Sequence, residues 1–80
     1  MMMIYHFEMM NENIARIAAE AMRAEGLTAE TMRNATPARR ARVILRARQE
    51  SARWGATTAD LAAVLNVSQR AISEMKKLMK

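Results

Sequence analysis

Arginine spacing is the first feature of this 80-residue sequence that could do chemistry. At about 100° per residue, Arg39, Arg42, Arg46, Arg53 and Gln49 fall within roughly 80° of one another on one side of a helix. Such a guanidinium stripe, about four turns long, suits contact with phosphate oxygens. The competing reading is a solubilising face with partners such as Glu50. No acid interrupts the stripe itself, which favours phosphate contact.

Catalytic chemistry finds little to work with. There is no Cys, which excludes a disulfide scaffold, a thiolate zinc site, an iron–sulfur cluster and a cysteine nucleophile. His6 is the single histidine and lies in an N-terminal stretch with no supporting pattern for a triad. Two Gly and one Pro leave little for a glycine-rich phosphate loop. The expectation is a binding protein, not an enzyme, with no cofactor and no metal.

The charge is unevenly placed. Net charge is +5, yet the five Arg of residues 1–40 (16, 23, 33, 39, 40) are balanced by Glu8, Glu12, Glu20, Glu25 and Glu30. Residues 41–80 carry Arg42, Arg46, Arg48, Arg53, Arg70, Lys76, Lys77 and Lys80 against only Glu50, Asp60 and Glu74. A basic half points to a polyanion, most often nucleic acid; a solvated surface is the alternative.

The elements that must position these groups are helical. Hydrophobic residues make up 51% of the chain, with nine Met and one each of Trp, Tyr and Phe. Helix formers dominate, and β-branched and aromatic residues are few. The expected fold class is all-α, a small helical bundle in one domain over 1–80. No apolar run approaches the ~18 residues of a membrane span, and His6 and Glu8 interrupt any signal-peptide core. A cytoplasmic protein without a membrane partner is expected.

Residues 1–26 form the first unit. Asn11 or Asn13 can cap a helix through about Glu25, with Ile14, Ile17, Ala18, Ala21 and Met22 on one stripe and Gly26 as its stop. The pattern also extends backwards. Met3, Phe7, Met10, Ile14 and Ile17 are spaced 4, 3, 4, 3, a heptad-like seam that makes residues 2–25 one long helix able to pair with a second copy. The alternative is that residues 1–9 are a leader.

Residues 28–55 form the second unit. Thr28 opens a short helix to about Asn34, and Thr36-Pro37 starts the Arg-striped helix. On that helix Ala41, Ile44, Leu45 and Ala52 share the apolar face. Arg48 breaks this face and is expected to snorkel or to pair with an acid such as Asp60. Val43, an apolar residue near the basic face, is a candidate second contact between copies. Trp54 before Gly55 reads as a core anchor ahead of a base-stacking residue.

Residues 57–80 are the most informative. Thr58 can cap a helix to Leu65, Asn66 can take a left-handed turn conformation, and Ser68 can cap a final helix. On the final wheel Ala71, Ile72, Met75, Leu78 and Met79 occupy one half. Gln69, Arg70, Ser73, Glu74, Lys76, Lys77 and Lys80 occupy the other.

The segment 58–77, including most of the run TTADLAAVLNVSQRAI (57–72), resembles the helix-turn-helix family of bacterial and phage DNA-binding proteins. Leu61 and Leu65 match the first-helix core positions and Ala62 the small residue at the crossing. Val67 follows the turn, and Ile72 and Met75 match the buried side of the recognition helix. Asn66 departs from the family's preference for Gly. The resemblance implies that Ser68, Gln69, Arg70, Ser73 and Lys77 face the major groove, Gln69 towards adenine and Arg70 towards guanine. Thr57, Thr58, Lys76, Lys80 and the Arg39, Arg42, Arg46, Arg53 stripe would hold phosphates. No β-wing is expected after the last helix, because the chain ends at Lys80.

The resulting expectation is a sequence-specific double-stranded DNA-binding protein, a small transcriptional repressor or regulator of phage, plasmid or bacterial type. It would act as a homodimer on an inverted repeat, joined through Met3, Phe7, Met10, Ile14 and Ile17. Two rivals stand beside it. One is a protein-binding module, such as an antitoxin or an anti-defence inhibitor; the other is a nucleoprotein-assembly factor, such as an excisionase or packaging subunit.

Overall fold

Four helices carry the fold: α1 (Met2–Ala24), α2 (Pro37–Ser51), α3 (Thr58–Leu65) and α4 (Gln69–Leu78). They belong to a computed structural model that describes the backbone of residues 2–78 and the side chains of residues 12–75. No strand occurs among the described residues, so the fold is a small all-α bundle, as the composition predicts. No helix among them is long and apolar enough to cross a membrane.

The longer reading of the first helix is the one observed. Asn13, an expected cap, lies within α1, where its side-chain oxygen accepts from the Arg16 guanidinium. Ile14, Ala18, Ala21 and Met22 are buried at the spacing of a single helix face. Gly26, at φ 71°, stops the helix. The Leu27 amide donates to the Met22 carbonyl at 2.9 Å and the Gly26 amide to Arg23 at 3.0 Å, the paired bonds of a Schellman end.

The expected second helix is instead a turn followed by a 3₁₀ turn, Met32–Asn34. Thr28 and Thr31 explain the difference. The Thr28 amide donates to Thr31 Oγ1 at 2.9 Å, and the Thr31 amide approaches Thr28 Oγ1 at 3.3 Å. Such local bonds compete with a helical ladder. Ala35 and Thr36 are then extended, as the residue before a proline prefers. Met32 nevertheless anchors the segment, fully buried in the core.

Thr36 caps α2 by accepting from the Arg39 amide at 3.3 Å, and Pro37 occupies the first turn. The buried face is Val43, Ile44, Ala47 and Ser51. It is rotated from the expected one: Ala41 and Leu45 are only half-buried and Ala52 is exposed. α2 packs against α1, α3 and α4, which centres its contact on the small Ala47 and draws Val43 inward. Val43 is 0% exposed, so it cannot serve as a contact between copies. Trp54 is half-buried and packs against the core, as an anchor would.

α3 begins one residue earlier than Thr58 suggests. Thr57 is the cap: its hydroxyl accepts from the Asp60 amide at 3.1 Å, and its own amide donates to Asp60 Oδ2 at 3.0 Å. This reciprocal box needs an acid three residues after the cap, which Asp60 satisfies for Thr57 alone. The carboxylate engaged there makes no ion pair with Arg48 among the described residues, which overturns that expected pairing. Leu61, Ala62, Leu65 and Ile72 close the core, with Val67 and Met75 packed against it.

Candidate nucleic-acid interface

Three residues, Asn66–Ser68, separate α3 from α4. Asn66 takes the left-handed conformation, φ 56° and ψ 44°. The Val67 amide donates to the Ala62 carbonyl at 3.1 Å, which satisfies an end carbonyl of α3. Ser68 then starts α4, its Oγ accepting from the Ala71 amide at 3.1 Å. The buried side of the pair faces the core, so the first turns of α4 present their other side to solvent.

Ser68, Gln69, Arg70 and Ser73 are all exposed. Arg70 Nε donates to Glu74 Oε1 at 3.1 Å, with the two side chains 87% and 60% exposed. An ion pair this open is held weakly, so Arg70 can exchange Glu74 for another acceptor. The side chains of Lys76, Lys77 and Lys80 lie outside the described residues. Thr57 is exposed and Thr58 half-buried. The Thr57 hydroxyl, already an acceptor in the cap, keeps its own proton to donate.

The arginine stripe is exposed but not unopposed. Arg42 Nε donates to Glu25 Oε1 at 2.9 Å, from the chain just after α1, and Arg46 Nε donates to Glu50 Oε1 at 3.2 Å. Acids from outside the stripe thus neutralise two of its four members, a long-range pairing in the case of Glu25. Arg53 falls in the 3₁₀ turn Ala52–Trp54, its guanidinium carbon 5.4 Å from the Trp54 ring centroid. Arg39 alone has neither partner among the described residues.

Two other arginines stand beside α4. Arg33, Arg40, Val67, Ser68 and Ala71 line an open groove of about 300 Å³. Arg40 is half-buried, and its Nη1 donates to the Arg33 carbonyl at 3.2 Å. The Asn66 side-chain amide donates to the Ala29 carbonyl at 2.7 Å, tying the segment that carries Arg33 to the α3–α4 turn. Both arginines belong to the charge-balanced half of the sequence, where net charge gives no sign of a binding role. One signal was available: Arg40 lies on the wheel near Ile44 and Ala47, and roughly 120–160° from Arg42 and Arg46.

The proposed pairing seam divides. Ile14 is 2% exposed and sits within the chain's own core, which corrects its assignment as an interface residue. Ile17 is half-buried and packs on the same core. The side chains of Met3, Phe7 and Met10 lie outside the described residues. Among the described residues, no group of three His, Cys, Asp or Glu is placed to hold a metal ion.

Comparisons with protein-family models, with curated proteins and with solved structures give no match to this chain.

Proposed function

We propose that the protein binds double-stranded DNA in a sequence-specific manner, with α3 and α4 acting as a helix-turn-helix and α4 as the reading helix. The observation that carries this is the division of α4. Ile72 is buried, whereas Ser68, Gln69, Arg70 and Ser73 form an exposed front directly after a left-handed Asn66 and a capped Ser68. An apolar back docked on a bundle leaves such a front free to enter a major groove, where Gln can pair with adenine and Arg with guanine. The activity is binding without chemistry, and the role is that of a small transcriptional regulator of phage, plasmid or bacterial type.

The working unit in this reading is a homodimer on an inverted repeat, with two copies of α4 about 34 Å apart. With Ile14 inside the core, pairing falls to the first third of α1, where Met3, Phe7 and Met10 keep the 4, 3 spacing. Binding-site selection from random duplex DNA tests the reading. A defined motif that loses discrimination at one base pair in Gln69→Ala or Arg70→Ala supports it. Binding of a protein target with no preference among DNA sequences contradicts it and favours an inhibitor or antitoxin role.

A further inference from the structure

We infer that the groove between the Met32–Asn34 turn and the start of α4 seats a backbone phosphate of the bound duplex, held by Arg33, Arg40 and Ser68. This rests on the DNA-binding reading and adds to it a site that lies off the arginine stripe. Two arginines line one groove, and neither has a carboxylate partner among the described residues, unlike Arg42, Arg46 and Arg70. Two cations lining one groove repel each other, and an anion held there offsets that repulsion. The groove holds several times the ~30 Å³ share of one liquid water, which leaves room for a phosphodiester oxygen pair.

The groups are also held in place before any ligand arrives. Arg40 is half-buried and fixed by its bond to the Arg33 carbonyl, with the remaining donors of its five N–H groups left over. Asn66 pins the segment carrying Arg33 to the α3–α4 turn. Ser68 Oγ accepts from the Ala71 amide, so its O–H remains to donate outward. Val67 and Ala71 supply an apolar wall, which lowers the local dielectric and strengthens an ionic contact. Because the wall belongs to the turn and first helical turn of the reading element, the occupant that fits is the sugar–phosphate strand flanking the bases under α4. A phosphate there would fix the register of α4 without itself reading sequence.

The test is the salt dependence of DNA binding by the full chain, measured by fluorescence anisotropy on a selected duplex and on an unrelated one. Arg33→Glu removes an exposed side chain and keeps the core. Arg40→Gln, paired with a thermal melt, checks the half-buried position. Loss of each contact is expected to lower the log–log salt slope by about 1 and to weaken both duplexes by a similar factor. An unchanged slope in Arg33→Glu overturns the groove while DNA binding by the unaltered chain stands. A change in base preference, with no change in slope, also overturns it as a backbone site. If the unaltered chain binds neither duplex, the DNA reading fails and the groove fails with it.

Discussion

The arginines on the outer side of α2 and those beside α4 are the same residue type in the same small bundle, yet their surroundings differ. Arg42 and Arg46 face away from the core and each already holds a glutamate. Arg33 and Arg40 line a groove with Ser68 and have no carboxylate partner among the described residues. Exposed pairs such as Arg42–Glu25 contribute only ~0–1 kcal/mol to stability, but they set a competitor that any phosphate must displace. Spacing on a helix wheel therefore finds cations; the acids that neighbouring segments bring to them decide which remain open to an anion.

The largest expected effect lies in the reading front, against which both arginine sets are judged. Gln69→Ala and Arg70→Ala should each reduce specific affinity by about 1–3 kcal/mol and relax discrimination at one base pair, as measured by titration against selected and mismatched duplexes. Equal affinity and an unchanged preferred motif would remove α4 from the groove.

The next effect separates the two arginine sets directly. Arg42→Gln combined with Arg46→Gln should lower the salt slope by less than Arg33→Glu combined with Arg40→Gln, for which a loss of about 2 is expected. A larger loss from the outer pair would return the phosphate contacts to the stripe.

Asn66 links the groove to the reading element. Asn66→Ala removes the bond to the Ala29 carbonyl and leaves a side chain poorly suited to φ 56°. A stability loss of about 1–2 kcal/mol is expected in denaturant melts. Asn66→Gly keeps the left-handed turn and loses only the tether, so it should be milder in stability while still weakening DNA binding through Arg33. If both variants bind DNA like the unaltered chain, the tether does not organise the groove.

The smallest effect is a control in the core. Ser51 Oγ is buried and has no hydrogen-bond partner among the described residues. Ser51→Ala removes an unsatisfied hydroxyl and should be neutral or stabilising by up to about 1 kcal/mol, read as melting temperature, with DNA affinity unchanged. A destabilised variant would mean that the hydroxyl has a partner after all.

Much of this fold is legible in the residue order because its signals are local. Gly26, Thr36-Pro37, Asn66 and Ser68 each mark a boundary by backbone preference or by a short-range cap, and the structure puts boundaries at all four. The misread parts depend on longer range. Val43 is drawn into the core because α2 meets three helices at once, which a single wheel does not contain. Glu25 reaches Arg42 across 17 residues, and Arg33 and Arg40 come to Ser68 only through tertiary packing, Arg33 from the 28–36 segment and Arg40 from α2, which packs against α4. Asn66 shows both levels: its turn conformation is readable from its type, but its bond to Ala29, 37 residues away, is not. That bond is one that Gly, with no side chain to donate, could not make at this turn.

The most direct measurement is selection of DNA bound by the 80-residue chain from random duplexes, repeated with Gln69→Ala and Arg70→Ala. An enriched motif arranged as an inverted repeat is expected for the unaltered chain, with one base position in each half-site relaxed by each substitution. Recovery of random sequence by the unaltered chain, or an identical motif from all three proteins, would contradict the assignment of α4 as a DNA-reading helix.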